Sequence, residues 1–335
     1  MRLVRQLDEK QWRDFVTAHP HGNIFHSPEM YQVFSHVKGH KPDFWAVLSD
    51  NEQVLALFSP VQISILNGFL RRFSTRAVSY GGILVAPNAD GQVALDLLLS
   101  EYARRVDGSP VFTELRNLFD VEHVQQVLQK NKYAFEGHLN YIIDLNGSPD
   151  TVFQNIGART RKNIRRALRD NKVEIEEVHD QAKLNECYEL LVKTYARAEV
   201  PLADRLLFEA AFNVLRPKNM IRIVLARVDG VAVASSIEFL YKDMMYGWYG
   251  GLDRAYAEFL PNEILMWHIL EWGVNHGYKT YDFGGAGKPD EEYGVRDFKA
   301  KFGGTLVNFG RNTCIHAPWT LKLSEFGYSL LRKFL

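Results

Sequence analysis

The chain has 335 residues, of which 46% are hydrophobic and 24% charged, and its 40 basic residues balance its 40 acidic ones to a formal net charge of zero. This composition is typical of a folded protein of roughly two domains and excludes an intrinsically disordered chain. The balanced charge also excludes a uniformly basic surface, so a polyanion would have to bind to a local patch.

Cysteine usage and hydropathy limit the compartment. Cys187 and Cys314 are far apart and outside any C-x-x-C spacing, which argues against a disulfide scaffold and a zinc knuckle. The N-terminal segment lacks an apolar signal region, and no run of about 18 uncharged apolar residues occurs. We therefore expect a cytoplasmic protein that does not span a membrane.

The first part of the chain predicts helices followed by strands. Helical spacing at residues 8–18 and 27–37 precedes three β segments, FWAVLSD, QVLALFSPVQI and AVSYGGILV. A helix at about 91–105 follows, then VFTELRNL, a helix at 121–129 and the β segment YAFEGHLNYIIDL. The turn sequence NGSPD, from Asn146, indicates a boundary.

Much of the same order returns after this boundary. It comprises a basic helix, VEIEEV, helices near 181–198 and 204–215, then IRIVLARV, VAVASSIEFLY, MMYGWYGG, a helix at 261–276, TYDFGG, a short helix near 293–301 and TLVNFGRN. Pro261 and Gly277 stand where helices commonly begin and end. The repeated order predicts two similarly folded lobes, residues 1–145 and 146–317.

The basic helix, GARTRKNIRRALRDN at residues 157–171, carries six cationic side chains before its first acid, Asp170. On a helical period three of them share one face and three lie next to it: Arg161, Arg165 and Arg169, then Arg159, Lys162 and Arg166. Like charges four residues apart repel, so this face requires solvent or a counter-anion. The segment is either a solvated face or a surface that contacts phosphates.

A glycine-rich segment, YDFGGAGKPDEEYGVRDFKAKFGG, follows a predicted strand. Its glycines would let the backbone approach a ligand, and Phe298 and Lys299 lie together on a short helix. Asp282 and Pro289 occupy positions where a phosphate-binding P-loop requires glycine and Ser or Thr, so that motif is excluded. The alternative is ordinary turn chemistry with Phe298 in the core.

Other candidate motifs are weaker. His36 and His40 have the spacing of two metal ligands on a helix, but no nearby acid completes a set, so no metal is expected. No G-x-S-x-G elbow occurs and neither cysteine has a convincing local setting, which leaves covalent catalysis unsupported. The amphipathic C-terminal segment 318–335 would pack on the protein itself or, as the alternative, contact a membrane surface.

Several of these segments, in this order, resemble a known family. IFHSPEMYQVF, SYGGILV, ELRN, NYIIDL, RTRKNIRRALRD, WYGGLDRAY, LPNEILMWHILEWG, YDFGG and FKAKFGG are similar to motifs of the Fem-type aminoacyltransferases. The resemblance implies an α/β fold of two tandem Gcn5-related N-acetyltransferase-like lobes without a coiled-coil insert, with the C-terminal segment 318–335 returning to the first lobe. Members of the family transfer an amino acid from aminoacyl-tRNA to an amine of a peptidoglycan precursor.

The resemblance also suggests a donor. Gcn5-related enzymes hold the pyrophosphate of CoA with a glycine-containing loop, whereas the equivalent loop here, LDRAYAEFLPN, has none, which makes acyl-CoA the less favoured donor. Aminoacyl-tRNA would instead be held by the basic helix and by Phe298, which the resemblance places at the terminal nucleotide. Lys299 would lie beside the ester, and Asp282 would orient the amine or accept its proton, unless it only caps the turn.

The acceptor is less well defined. In the family a lysine and an arginine hold sugar-nucleotide phosphates, and an approximate alignment places Gln32 and Ala203 at those positions. Arg205 or Lys38 would have to substitute, or the acceptor is another envelope amine, and Tyr249 is a further candidate acceptor-binding residue. The expected protein is an amide-forming enzyme at the inner face of the membrane that acts on a cell-envelope precursor, including a lipid-linked one. The rivals are an acyl-CoA or acyl-carrier enzyme and a silent scaffold that binds polyanions.

Overall fold

The computed structural model describes residues 1–64, 74–106 and 110–322. Its α-helices are, in chain order, α1 Glu9–Ala18, α2 Pro28–Ser35, α3 Ala89–Arg105, α4 Gln125–Lys130, α5 Pro149–Asn155, α6 Ala158–Asp170, α7 Gln181–Arg197, α8 Arg205–Leu215, α9 Pro261–Asn275 and α10 Gly294–Ala300. Short 3-10 helices lie at Ile24–His26, Glu122–Val124, Arg216–Lys218 and Arg254–Phe259.

The strands of the described residues run through both halves of the chain. They are β1 Arg2–Val4, β2 His40–Pro42, β3 Trp45–Leu48, β4 Val54–Phe58, β5 Val61–Ser64, β6 Thr75–Gly81, β7 Leu84–Val85, β8 Phe112–Asn117, β9 Ala134–Glu136, β10 Leu139–Asp144, β11 Val173–Glu177, β12 Ile221–Val228, β13 Val231–Tyr241, β14 Met244–Leu252, β15 Thr280–Gly285, β16 Thr305–Asn308 and β17 Arg311–Ile315. The predicted α/β class is confirmed.

The chain divides into two compact units. The first comprises Met1–Gly137 and the chain from Phe309 onward, and the second comprises His138–Asn308. In the first unit the described strands form two sheets, of order β1-β3-β4-β7 and β2-β5-β6-β8-β17-β9. Strands β6 and β8 are parallel, and the helix between them, α3, buries one face against β3 and β4.

The second unit repeats this crossover in a single seven-stranded sheet. Its described strands have the order β11-β12-β13-β14-β15-β10-β16. Strands β14 and β15 form its parallel pair, and α9 connects them. Helix α9 is apolar around most of its circumference and packs on β12 and β13, so it is a core helix of this unit.

The boundary between the units lies elsewhere than the predicted division at 145/146. The predicted strand YAFEGHLNYIIDL is two strands, since β9 pairs with β17 in the first unit and β10 pairs with β15 and β16 in the second. TLVNFGRN divides in the same way into β16 and β17. Backbone pairing partners are distant in sequence, so a local hydrophobic pattern could not assign these strands to their sheets.

The C-terminal prediction falls largely outside the described residues. Only the first turn of the segment 318–335 is described, up to residue 322, and Trp319 within it is 80% exposed. Among the helices of the described ranges, none combines the length and hydropathy needed to cross a bilayer.

Candidate active site

The candidate site begins where the two parallel strands of the second unit separate. Strands β14 and β15 are paired at three positions only, the last of them Tyr246 with Asp282. Beyond this point β14 continues beside β13 alone, and β15 pairs Gly285 with Asn140 of β10. In the first unit the parallel pair β6 and β8 holds across five positions. The second unit therefore has a wedge-shaped opening in its sheet.

A cavity of about 740 Å³ occupies this opening. Its wall comprises β14, the C-terminal end of α7, the first half of α9, the end of β15 and part of α10. Much of the wall is aromatic or aliphatic, including Trp248, Tyr249, Leu265, Met266 and Phe298. A mostly apolar cleft with a few polar groups is the usual form of a site for a small ligand or reactive group.

Two of the predicted residues, Phe298 and Lys299, line this cavity. Lys299 is buried, and its ammonium donates to the carbonyls of Phe283, Gly284 and Gly285 at 2.6, 3.2 and 2.7 Å. Burial lowers the pKa of Lys299 to about 8, against the opposing effect of the nearby Asp282 carboxylate. The three hydrogen bonds of the ammonium hold the end of β15 in place. To donate to the carbonyl of a ligand in the cavity, the ammonium would have to give up one of these three hydrogen bonds.

Asp282 is placed differently from its prediction as the group that orients or deprotonates the amine. It is fully buried and does not line the cavity. Its carboxylate accepts from the backbone N–H of Gly284 at 2.7 Å and from Asn140 Nδ2 at 3.1 Å. Burial raises the pKa of Asp282 to about 6, although these hydrogen bonds and Lys299 lower it. The geometry corresponds to the alternative stated above, a carboxylate that caps the turn.

The predicted acceptor-binding residues of the second unit, Tyr249 and Arg205, differ in their placement. Tyr249 lines the cavity, where its ring contacts those of Tyr195 and Phe208. Arg205 lies on α8 outside the cavity wall, and its guanidinium donates to Glu209 at 2.8 Å and to Asn185. Gln32 is exposed on α2 of the first unit and is absent from the lining. Arg205 is therefore committed to its own helix pair, which removes it as an obvious phosphate ligand.

The basic helix is confirmed as α6, but its cations are not equivalent. Arg161 turns back and donates to the carbonyls of Gln154 and Ile156 in the preceding helix. The guanidinium of Arg165 lies 5.1 Å from the ring of Phe153. Four further cations are exposed and form no ion pair within the described part of the chain, and we call them the basic surface: Arg159, Lys162, Arg166 and Arg169.

We predict that Arg161→Ala will lower the free energy of unfolding without weakening polyanion binding. Its guanidinium satisfies two carbonyls at the end of α5, and their loss should cost roughly 1 to 3 kcal/mol. Urea unfolding followed by circular dichroism measures this loss, with Arg159→Ala as the matched exposed control. If Arg161→Ala binds polyanions much more weakly and its free energy of unfolding is unchanged, Arg161 contacts the ligand and this prediction is wrong.

The basic surface adjoins the segment that carries Phe298. The backbone N–H of Gly157, which precedes α6, donates to the carbonyl of Lys301 at 2.9 Å. The ammonium of Lys301 lies 5.7 Å from the ring of Phe298. Lys301 therefore lies between the start of α6 and Phe298 in the cavity wall.

Gly303 makes this junction sterically specific, and we predict that Gly303→Ala will destabilise the protein by about 2 kcal/mol or more. The backbone has φ of +78° there, and an ideal Cβ would lie 1.9 Å from the carbonyl oxygen of Asn155. Gly294 is the matched control, since a Cβ at that position meets nothing within 4 Å. Thermal unfolding of both variants checks the prediction, and equal melting temperatures would contradict it.

The sequence reasoning missed a polar group beside the opening. Glu238 on β13 is completely buried, accepts from Ser236 Oγ and lies close to the hydroxyl of Tyr281. Its only signal in the sequence is a single acid inside the apolar strand VAVASSIEFLY. Arg197 and Arg254, which also line the cavity, were likewise not predicted.

Nucleophilic and metal chemistry find little support in the described ranges. Cys187 and Cys314 are buried, and burial raises the pKa of both thiols, that of Cys187 to about 12. Both are therefore protonated at neutral pH. No cluster of three or more His, Cys, Asp or Glu side chains suited to a metal ion occurs in residues 1–64, 74–106 and 110–322.

Comparison with protein families and sequences gives partial matches. Residues 158–299 match the family model described as an acetyltransferase (GNAT) domain. A lipid II:glycine glycyltransferase of Staphylococcus haemolyticus is 28% identical over 122 residues, which are 35% of this chain and 26% of that protein. This chain thus spans only about a quarter of the length of that relative.

Solved structures extend the similarity over nearly the whole chain. A crystal structure of FemX has a TM-score of 0.76 at 16% identity and covers 96% of this chain and 99% of its own. A tandem GNAT protein from the clavulanic acid biosynthesis pathway has a TM-score of 0.60 at 11% identity, covering 94% and 98%. The predicted fold of two tandem GNAT-like lobes is confirmed. These similarities to solved structures show that the chain has the GNAT fold.

Proposed function

We propose that this protein is an acyltransferase that forms an amide on an amine of a cell-envelope precursor, with aminoacyl-tRNA as the donor. One observation carries the proposal. The cavity in the opened sheet is lined by Phe298 and Lys299, and Lys301 connects this wall to the start of α6, the helix that carries the basic surface. A reactive ester at the end of a polyanion would need an apolar cleft for the ester and cations for the phosphates.

The donor assignment is supported by charge and by the loop before α9. Exposed cations bind the sugar-phosphate backbone, and aromatic rings stack on unpaired bases, as at the single-stranded end of a tRNA. The loop Asp253–Leu260 contains no glycine, and Asp253 itself caps the backbone N–H of Ala255 at 3.1 Å. This loop is less suited than a glycine-rich one to the close backbone approach that a pyrophosphate needs.

The acceptor assignment rests on the relatives and on the cavity. The curated relatives are named lipid II:glycine glycyltransferases, so we propose an amine of a lipid-linked peptidoglycan precursor, reached at the inner face of the membrane. The approximate alignment with the Fem-type enzymes places Gln32 and Ala203 where those enzymes have a cationic pair for sugar-nucleotide phosphates, and this argues against a UDP-linked acceptor. Tyr249 and its ring neighbours would pack against the acceptor.

The proposed reaction is an attack of the acceptor amine on the donor ester. The C–N bond forms, the C–O bond to the terminal ribose breaks, and the leaving hydroxyl takes up a proton. Since the ester is already activated, most of the catalysis would come from holding the two reactants in contact. Lys299 would favour the negative charge that develops on the carbonyl oxygen.

Acyl-CoA is a second candidate donor because of one feature of the cavity wall. Arg254 and Asn262 line the cavity beside the first turn of α9, whose backbone N–H groups have no side-chain cap. A helix N-terminus next to an arginine attracts phosphate groups, so an acyl-CoA could be bound there. The GNAT family match is compatible with this alternative.

Donor preference separates the two candidates. Purified protein is incubated with envelope precursors that carry a free amine and with labelled aminoacyl-tRNA or labelled acyl-CoA. We expect transfer from the tRNA, abolished by prior RNase treatment. Transfer only from acyl-CoA would support the alternative donor and refute the assignment of the basic surface to tRNA.

A further inference from the structure

A buried hydrogen-bonded cluster lies at the narrow end of the opening between β14 and β15. Glu238 of β13 is fully buried, Ser236 Oγ donates to its Oε1, and the hydroxyl of Tyr281 on β15 lies close to the same carboxyl group. Ser236 and Tyr281 both line the cavity, whereas Glu238 lies behind them. The cavity thus communicates with a buried acid through two hydroxyl groups.

The backbone leaves room for this cluster at one residue of β14. Gly247 is paired with Glu238 in the sheet, and an ideal Cβ there would lie 2.6 Å from the Tyr281 hydroxyl and 3.4 Å from Glu238 Oε2. Any larger residue would displace the phenol from the carboxyl group. Tyr281 and Gly247 also lie near the end of the pairing between β14 and β15.

The charged and titratable groups around Glu238 come from four elements. Arg222 of β12 is its partner in the sheet register, and the Arg222 guanidinium contacts His268 of α9 at 3.0 Å. Tyr246 of β14 and Asp282 of β15 are further titratable groups near Tyr281. Burial raises the pKa of Glu238 to about 7, although Ser236, Tyr281 and Arg222 all lower it. Burial also lowers the pKa of His268 to about 4, which keeps that ring neutral.

We propose that the Tyr281 hydroxyl contacts the acceptor amine and passes its proton to Glu238, which holds it during transfer. This inference rests on the proposed amide-forming function and adds the proton acceptor that the reaction requires. Asp282 does not compete for this role, because it does not line the cavity and its oxygens are used within the turn.

The step balances in protons and bonds. The acceptor ammonium gives one proton to the Tyr281 oxygen while the Tyr281 hydroxyl proton moves to the Glu238 carboxylate, so tyrosine is neutral before and after. The free amine then attacks the ester carbon, the C–N bond forms and the C–O bond to the donor breaks. The second amine proton goes to the leaving hydroxyl, and Glu238 returns its proton to water after the product leaves.

The first test is the pH dependence of kcat/KM for the acceptor in the wild type, Glu238→Gln and Tyr281→Phe. The wild type should gain activity as pH rises through about 7, because Glu238 must be ionised to accept a proton. Both variants should lose this rise and fall about 100-fold at pH 7.5. Glu238→Asp should recover part of the rise, and the KM for the donor should not change.

Glu271→Gln provides the matched control. Burial also raises the pKa of Glu271, which lies on α9 outside the cavity wall, so this variant should keep the wild-type profile. Carboxyl carbon-13 NMR of glutamate-labelled protein gives a readout without turnover. One resonance should titrate near pH 7, be missing from Glu238→Gln and shift in Tyr281→Phe.

The outcomes separate this inference from the proposed function. A wild type that transfers no acyl group from tRNA or CoA would refute both. If Glu238→Gln is active and its kcat/KM still rises through pH 7 as in the wild type, proton transfer through Tyr281 to Glu238 is refuted. The proposed acyltransferase function is then unaffected. If Glu238→Gln does not fold, the pH profile of Tyr281→Phe and the NMR titration of the wild type test the inference instead. The absence of any glutamate that titrates near pH 7 would refute it.

Discussion

Replacing Lys299 by methionine is expected to lower kcat about 1,000-fold and to lower stability as well. Methionine keeps the length of the side chain and removes only the ammonium, which now donates to the carbonyls of Phe283, Gly284 and Gly285. The proposed site would lose the charge beside the reacting carbonyl, and preorganised donors of this kind are worth two to three orders of magnitude in rate, roughly. Single-turnover transfer from aminoacyl-tRNA measures the loss.

The structural part of this effect is separable. Each buried carbonyl left without a donor costs roughly 1 to 3 kcal/mol, so urea unfolding of Lys299→Met must accompany the kinetics. Rates are compared at a temperature at which the variant is folded. Lys279→Met is the matched control, since that lysine is exposed and its ammonium pairs with Asp243 at 3.3 Å. If folded Lys299→Met has an unchanged kcat, Lys299 has no role in transfer and serves only to hold the turn after β15.

Reversing the charge of three residues of the basic surface should raise the KM for a tRNA donor by two to three orders of magnitude, roughly, at 0.1 M salt. The variant carries glutamate at Arg159, Lys162 and Arg166. Each lost phosphate contact lowers the slope of log affinity against log salt by about one, so the slope should fall by about three. Filter binding of tRNA across a salt series measures both quantities, and kcat at saturating donor should not change.

A control of equal charge change tests whether this effect is local. Lys218, Lys242 and Lys279 are exposed in the same unit, and their replacement by glutamate changes the net charge by the same amount. We expect only a small, salt-screened effect from this second variant. If the two triple variants change the KM and the salt slope equally, tRNA binding depends on the total charge of the protein and not on the basic surface of α6.

Features governed by local sequence were predictable. The α/β class, the repeated order of elements and the span of α9 follow from hydrophobic period and from Pro261 and Gly277, and the structure has them. The ends of β9 and β16 were not predictable in this way. The alternation of apolar and polar residues within a strand can be read from the sequence. The strand with which it pairs can lie more than 100 residues away in the sequence, as β8 does from β17.

The site was only partly predictable for a related reason. Phe298 and Lys299 were found from a motif, and both line the cavity. A helical projection grouped Arg161 with the exposed cations, because it could not show the carbonyls of Gln154 and Ile156 that the guanidinium meets. Glu238 was missed, although an acid within an apolar central strand is costly unless it is hydrogen-bonded, and that cost was the available signal.

The position of β17 has a consequence for synthesis on the ribosome. This strand lies between β8 and β9 in the first unit, yet it is translated after all of the second unit. At 5 to 20 residues per second, the unfinished sheet of the first unit would wait roughly 10 to 30 seconds for it. Through that interval β8 has an unpaired edge, which invites wrong pairing with other nascent chains. Slow codons within residues 138–308 should therefore lower the soluble yield more than slow codons placed after β17.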